Sequence, residues 1–297
     1  MVEKLEETKV DSKLLFFDIA ANLSDGTYRG VHHGKKCHEP DFDDVIERGR
    51  AIGVKKYLFA SGHLEDAEIS YELALKSSDF YTTVGVHPCR ANEVEKGGRT
   101  QKEYFDEVER LITKYGSKCI AVGECGLDYD RLDYSSKEDQ LKHFPPHFDL
   151  AEKFKLPMYL HNRNTGSDFF DLVKQNRKRF STGVVHSFTG TLDELKEIIA
   201  LDLYVGVNGC SLKTEENLEV VKKIPLDRIM LETDCPYCDI KNSHASSKYV
   251  KTKFPAKPKE KAAKGFLIKG RNEPCMIKQV SEVVSTIMNI SEEELTK

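Results

Sequence analysis

The chain has 297 residues, of which 39% are hydrophobic and 32% are charged, a composition typical of a globular protein with a substantial core. Its formal net charge of −4 excludes an overall basic nucleic-acid binder, so any affinity for nucleic acid must come from a local patch. No apolar run approaches the roughly 20 residues of a membrane helix, and the N-terminus is typical of neither a signal nor a transit peptide. We therefore expect a nuclear or cytoplasmic protein. Its eight scattered cysteines are expected to be free thiols.

The chain alternates short apolar runs with longer amphipathic stretches. The runs are rich in β-branched and aromatic residues and end in polar or glycine-rich turns, which is typical of strands buried on both faces. We expect eight strands, at 14–19, 56–60, 81–86, 119–123, 157–160, 183–185, 203–207 and 229–231. Helical patterns lie at 41–52, 104–115, 191–200, 216–224 and 274–288, and Thr191 stands three residues before Glu194, the spacing of a capping box.

Eight strands alternating with helices over about 250 residues predict an α/β fold, the (β/α)8 TIM barrel. No linker marks a second domain. We therefore expect one domain over residues 1–297, with 1–12 as a flexible tail, and a monomer as the simplest oligomeric state.

Metal-competent side chains follow five of the eight predicted strands. His87 follows the third strand, Glu124 the fourth, His161 the fifth, His186 the sixth and Asp234 the eighth. A single histidine or carboxylate at such a position is often structural. However, the carboxyl ends of parallel strands converge on one rim, where active sites of this fold lie. We therefore predict a metal site formed by Glu124, His161, His186 and Asp234, with His87 nearby.

These ligand types suit Zn²⁺, Mn²⁺ or Fe²⁺, and a carboxylate-rich site facing phosphate oxygens suits Mg²⁺. We expect one or two such ions per chain, lowering the pKa of a bound water toward about 7. Asp234 is the candidate general base because it can hold that water. The predicted catalytic residues are Asp234, Glu124 and His87.

Seven motifs resemble those of a known protein family. They occur in the same order as in that family and cover nearly the whole chain. They are GVHP (85–88), GECGLDYD (123–130), LHNR (160–163), VHSFTG (185–190), GVNGCS (206–211), LETD (231–234) and RNEP (271–274). Together they resemble the TatD family of metal-dependent deoxyribonucleases, and most closely its eukaryotic branch. The resemblance implies an amidohydrolase-like barrel that cuts DNA, with Glu124 between two metal positions. His161 and His186 would complete one position, and Asp234 would belong to the other.

The chain departs from this family pattern at the end of the first strand. Most TatD proteins carry a His-x-His pair there, whereas this chain has Ala20 and Asn22. Alanine binds no metal, and asparagine offers only a carbonyl oxygen. The metal position that depends on Asp234 is therefore expected to be weak, filled only with substrate, or rich in oxygen ligands. Asp18 is a further candidate ligand, or equally a buried partner of a helix end.

A basic segment, residues 241–271, follows the eighth strand. It contains ten Lys or Arg residues and one acid, Glu260. The composition alone fits a solvated insertion equally well, but its position predicts an extended loop that binds phosphates through Lys257, Lys259 and Lys261. Arg163 is a further candidate for gripping a phosphate, although a rim ion pair is its ordinary role.

Two other functions remain open. One is an amidohydrolase-like enzyme acting on a small amide or ester, although such enzymes usually need the His-x-His pair. The other is a non-catalytic nucleic-acid-binding relic, against which the four intact metal ligands argue. The Cys-x-x-Cys spacing of Cys235 and Cys238 is common by chance, and His32 with His33 in a polar loop is expected to be incidental.

Overall fold

The computed structural model describes residues 14–297, so the predicted tail at 1–12 lies outside the described residues. One sheet holds eight strands in chain order, and every neighbouring pair in it is parallel. They are β1 (Phe16–Asp18), β2 (Val54–Phe59), β3 (Phe80–Val84), β4 (Cys119–Asp128), β5 (Met158–Arg163), β6 (Gly183–Val185), β7 (Tyr204–Val207) and β8 (Ile229–Leu231). All eight predicted strands are confirmed, and β4 runs five residues further than predicted.

Helices connect the strands and form the outer layer. They are α1 (Phe42–Ala51), α2 (Leu64–Ala74), α3 (Gln101–Tyr115), α4 (Lys137–His143), α5 (Pro146–Phe154), α6 (Asp168–Asn176), α7 (Leu192–Ala200), α8 (Glu215–Val221), α9 (Ile277–Met288) and α10 (Glu292–Leu295). The predicted capping box at the start of α7 is present, with Thr191 accepting from the Glu194 N–H and Glu194 accepting from the Thr191 N–H. Within residues 14–297, no helix is both long and apolar enough to cross a bilayer.

The barrel closes where β1 meets β8. Ala21 and Cys235 form a parallel bridge, and the Asn22 N–H donates to the Cys235 carbonyl at 2.8 Å. The buried Asp18 carboxylate accepts from the Thr233 N–H at 3.0 Å and from its hydroxyl at 2.6 Å. Asp18 thus has a structural role, but it binds Thr233 just after β8 and not a helix end. The predicted (β/α)8 fold is confirmed.

The barrel interior is filled by a cluster of side chains to which no helix contributes: Ile19, Ala20, Leu58, Ala60, Ala121, Tyr159 and Val184. Tyr159 lies two residues before His161 on the same face of β5. Its ring stacks on that of His186 at a centroid distance of 4.9 Å. The core therefore supports the rim histidines from below.

The basic segment is not one continuous extended loop. It contains short 3-10 helices at Ala245–Tyr249 and Lys259–Lys261, and Ala256–Lys257 pairs in parallel with Leu267–Ile268. Buried Leu267 and Ile268 anchor it to the protein. The Lys251 N–H donates to Glu282 of α9 at 2.8 Å. The other end of the segment is fixed by Arg271, which donates a hydrogen bond to Asp41 at the start of α1. The segment therefore borders the rim on the side of β1.

His147 of α5 fixes the end of β3 from behind. Its Nε2 accepts from the Val86 N–H at 2.9 Å, and its Nδ1 donates to the Phe144 carbonyl at 2.9 Å. Burial lowers the pKa of His147 to about 4. The imidazole is therefore neutral, and it holds the backbone next to His87 in place.

We predict that His147→Leu lowers the free energy of unfolding by about 1–3 kcal/mol at pH 7.5, because the Val86 N–H loses its partner. The unfolded chain binds a proton on His147 near pH 6.5, whereas the folded protein does so only near pH 4. His147 therefore lowers the free energy of unfolding as pH falls from about 6.5 to about 4. The variant should lack this part of the pH dependence. Urea unfolding at several pH values measures both effects, with His63→Leu as control. An unchanged pH dependence would contradict this role.

Candidate metal centre

Three imidazoles converge on one carboxylate oxygen at the carboxyl rim of the barrel. Glu124 Oε1 lies 2.9 Å from His161 Nδ1, 2.9 Å from His186 Nε2 and 3.4 Å from His87 Nε2. Ligand atoms of His87, Glu124 and His161 all lie within 4.8 Å of one another, a grouping that can hold a metal ion. The structure thus brings together residues from the ends of four strands, and it places His87 among the possible ligands.

Two carboxylates that sequence reasoning did not assign complete the surroundings. Asp128 Oδ2 lies 3.0 Å from His161 Nε2. Glu232 is fully buried, and its Oε1 lies 3.3 Å from His186 Nδ1. That oxygen also accepts from the Ser187 N–H at 2.7 Å and from Asn208 Nδ2 at 2.9 Å. His161 and His186 therefore each lie between two carboxylates.

A signal for Asp128 was present in the sequence. Residues four apart on a strand point to the same face, and β4 continues past Glu124 to pair Asp128 with Arg163. Because the sequence predicted that the strand ends at 123, this relation between Glu124 and Asp128 was hidden. Glu232 directly follows β8, but from the sequence the role of metal ligand was assigned to Asp234, two residues further on.

The charges of the cluster are strongly coupled. Burial alone would raise the pKa of Glu124, but His186, His87 and hydrogen bonds from the imidazoles hold it well below its usual value. Burial would likewise lower the pKa of His186, but Glu124 and Glu232 raise it well above its ordinary value. Without a metal ion, the cluster thus favours protonated imidazoles beside ionised carboxylates.

The residues fit a divalent cation. One oxygen cannot accept three good hydrogen bonds, since a carboxylate oxygen has two lone-pair sites. His186 Nδ1 and Glu232 Oε2 are buried without a hydrogen-bond partner within the described residues. Nitrogen and carboxylate oxygen donors of this kind suit Zn²⁺ and Mn²⁺. A cation would take the place of the protons that the imidazoles otherwise carry.

A missing side chain makes room for this arrangement. A Cβ atom on Gly206 of β7 would lie 2.6 Å from Glu232 Oε2 and 3.0 Å from the Cα atom of His186. A contact of 2.6 Å is shorter than real Cβ atoms make, so an alanine here would displace the Glu232 carboxylate. Gly206, part of the GVNGCS motif, therefore lets Glu232 approach His186.

Asp234 lies beside the cluster and is already hydrogen-bonded. Its Oδ1 accepts from Asn22 Nδ2 at 2.9 Å, and its Oδ2 lies 3.2 Å from Cys238 Sγ. Burial raises the pKa of Asp234 to about 6. Asn22 therefore binds this carboxylate through its side-chain amide and supplies no imidazole.

The residues predicted to bind substrate are spread over the rim. Arg163 is exposed, and its Nε donates to Asp130 at 2.9 Å. Lys257 Nζ lies 3.8 Å from the centre of the Phe266 ring. Ion pairs of the basic segment are formed by Lys248, Lys264 and Arg271. Within residues 14–297, Lys257, Lys259 and Lys261 thus remain without a carboxylate partner.

All eight cysteines are free thiols, as expected. Cys235 is fully buried at the barrel closure, while Cys238 contacts Asp234. The two cysteines of the Cys-x-x-Cys spacing thus face different surroundings, in agreement with a chance spacing.

The comparisons with known proteins agree with this geometry. The model of the TatD related DNase family matches residues 17–297. Deoxyribonuclease Tat-D of Schizosaccharomyces pombe is 43% identical over 289 residues, which cover 96% of this chain and 93% of that protein. The 3'-5' ssDNA/RNA exonuclease TatD of Cronobacter sakazakii is 30% identical over 274 residues, or 91% of this chain and 89% of that protein. A crystal structure of a TatD family hydrolase from Entamoeba histolytica superposes with a TM-score of 0.90 at 39% identity, covering 95% of this chain and 94% of that one.

An eight-stranded barrel with imidazoles and carboxylates at its carboxyl rim defines a hydrolase of the amidohydrolase-like type. The chain belongs to the TatD family of deoxyribonucleases, so the predicted resemblance is confirmed. The fission yeast protein is more similar to it than the bacterial one, in agreement with the expected eukaryotic branch.

We predict that Mn²⁺ raises the melting temperature of the wild-type protein and leaves that of Glu124→Gln unchanged, because the neutral amide no longer attracts the ion. Ligand at 100 times its Kd stabilises a fold by about 2.7 kcal/mol, which corresponds to a rise of several degrees. Differential scanning calorimetry with and without metal measures the difference. Glu219→Gln, at an exposed ion pair, is the control and should respond like the wild type. A wild type that shows no shift would contradict the metal site.

Proposed function

We propose that the protein is a divalent-metal-dependent deoxyribonuclease that hydrolyses phosphodiester bonds of DNA. The observation that carries this proposal is the convergence of three imidazoles on Glu124 Oε1 at the barrel rim. Membership of the TatD family supports it, as do the names of the relatives, a deoxyribonuclease and an exonuclease of single-stranded DNA and RNA.

Glu124, His161 and His186 would hold the ion, with His87 as a further possible ligand and Asp234 at a second position. When bound, such an ion polarises a phosphoryl oxygen and acidifies water. The ion would be Mg²⁺, Mn²⁺ or Zn²⁺, with one or two per chain. Because Asn22 and Cys238 already engage both Asp234 oxygens, we expect the second position to be the weaker one.

Asp234 is the proposed general base. A carboxylate with a pKa of about 6 is ionised at neutral pH and still basic enough to take up a proton from water. Asn22 orients the carboxylate by donating to Oδ1, which leaves lone pairs on both oxygens for the attacking water. Glu124 and His87 would stabilise charge at the reacting phosphate as parts of the metal-binding cluster.

The basic segment would hold the DNA backbone. Lys257, Lys259 and Lys261 carry positive charge that no described carboxylate neutralises, on the side of the rim next to β1. Arg163 lies on the opposite side, at the end of β5, where its pairing with Asp130 leaves other guanidinium nitrogens for a phosphate. Contacts of this kind bind phosphates without reading sequence.

The two other functions have less support. A hydrolase of small amides or esters would not need the unpaired lysines beside the rim. A relic would not be expected to keep His161 and His186 hydrogen-bonded to Glu124 with Asp234 also intact. We further propose that the protein acts as a monomer in the nucleus or the cytoplasm.

We predict that the wild-type protein cleaves plasmid and single-stranded DNA in the presence of a divalent ion and that Glu124→Ala abolishes cleavage with every ion tested. Loss of the central carboxylate removes the attraction that gathers the imidazoles around the cation. Gel assays with Mg²⁺, Mn²⁺ and Zn²⁺ measure this, and small amide and lactone substrates serve as controls. Turnover of those substrates without DNA cleavage would reject the nuclease.

We also predict that Asp234→Asn lowers kcat by about 10²–10⁴-fold, the usual contribution of a positioned base. Because the pKa of Asp234 is raised to about 6, its basic form is lost as pH falls through that value. Wild-type cleavage should therefore decline below about pH 6, and the residual activity of Asp234→Asn should lack that decline. Asp239→Asn, in the same loop, is the control. An identical acidic limb in wild type and Asp234→Asn would exclude Asp234 as the base.

For the basic segment, we predict that replacing Lys257, Lys259 and Lys261 with Glu weakens DNA binding. The slope of log affinity against log salt concentration should also fall by about 0.9 for each phosphate that the variant no longer neutralises. Fluorescence anisotropy over a salt series measures both effects. The matched control replaces exposed Lys55, Lys114 and Lys155, which lie near the amino ends of the strands. Equally weak binding by the two triple variants would show that only net charge matters.

A further inference from the structure

A short hairpin between β1 and α1 brings two histidines together. Val31–His32 pairs antiparallel with Lys35–Lys36, and the Cys37 N–H donates to the Gly30 carbonyl at 2.8 Å. His38 follows directly. Its Nε2 lies 2.9 Å from Nε2 of His32, and the ring planes are tilted by 56°. The two rings therefore meet through their nitrogen atoms instead of stacking, and His33 is not the partner of His32.

The protonation of His38 follows from its other nitrogen. Nδ1 of His38 lies 2.7 Å from the Glu39 carbonyl oxygen. A carbonyl oxygen only accepts, so Nδ1 carries the hydrogen, and neutral His38 presents the lone pair of Nε2 to His32. Histidines that bind metals characteristically donate their other ring N–H to a backbone carbonyl in this way, because the bond fixes the tautomer and the ring orientation.

His32 is half-buried beside His38 and presents the same nitrogen atom, Nε2, to the space between the two rings. Neutral imidazole is the form that binds metal ions. Nδ1 of His32 can carry the ring hydrogen once Nε2 is needed as a ligand, so no other group has to accept a proton.

We propose that His32 and His38 form a separate metal site, which binds a borderline-soft divalent cation such as Zn²⁺ or Cu²⁺ between their Nε2 atoms. Zn–N bonds of about 2.0–2.1 Å in a tetrahedral arrangement separate two ligand nitrogens by roughly 3.3 Å. The present 2.9 Å therefore has to open by only a few tenths of an ångström. Solvent completes the coordination. Mg²⁺ prefers oxygen ligands and does not compete for this site.

The test counts zinc ions with the full-length chain carrying Glu124→Ala, which removes the central donor of the barrel site. In that background we expect one zinc equivalent by isothermal titration calorimetry. His32→Ala or His38→Ala should weaken this binding by at least about tenfold, since loss of an outer-shell partner alone costs about 10–100-fold. His33→Ala, on the same hairpin, is the matched control and should bind like its parent.

A second readout identifies the ligands. The electron paramagnetic resonance spectrum of one Cu²⁺ equivalent should show nitrogen couplings from two imidazoles, and both histidine variants should lose that pattern. Unchanged zinc binding in His32→Ala and His38→Ala, or an equal loss in His33→Ala, would overturn the proposal. Because Glu124 is absent in the first test, failure of the barrel nuclease and failure of the hairpin site give different results.

Discussion

The structure of the catalytic rim depends on the attraction between one buried carboxylate oxygen and the imidazoles around it. Glu124 Oε1 lies within 3.4 Å of nitrogen atoms from His87, His161 and His186. A buried carboxylate and several imidazoles can share so small a volume only if positive charge balances them. Protons supply that charge when no ion is bound, and a divalent cation can supply it in their place.

The rest of the barrel keeps these groups together. Tyr159 stacks below His186, and Asp128 and Glu232 hold the outer nitrogens of His161 and His186. Gly206 leaves the space that Glu232 needs. These contacts come from strands far apart in sequence, so the donor set exists only once the sheet has closed.

The first strand shows how this chain differs from the common TatD pattern. Asp18 is used to close the barrel through Thr233, and burial raises its pKa to about 7. Ala20 is part of the apolar interior. Asn22 donates to Asp234. The strand thus orients a carboxylate and supplies no imidazole, which is why we propose that the metal position at Asp234 is weaker than the one at Glu124.

Local patterns predicted the strands, the capping box at Thr191 and the side chains at the strand ends, because each depends on few neighbouring residues. The extension of β4 to Asp128 was missed, since the run from Gly123 to Gly126 is typical of a turn. In the structure these glycines allow close strand packing instead: a Cβ atom on Gly126 would lie 1.9 Å from the His161 carbonyl oxygen. The contact between His32 and His38 depends on the path of the chain after the hairpin. Helix and strand periodicities in the sequence do not predict that path.

The most direct test of the central claim is anomalous diffraction from crystals of the wild-type protein grown with Mn²⁺ or Zn²⁺. The account predicts an anomalous peak within bonding distance of Glu124, His161 and His186, absent from crystals of Glu124→Ala grown in the same way. A wild-type map with no peak among these three residues at saturating metal, and with their side chains still hydrogen-bonded to one another, would contradict it.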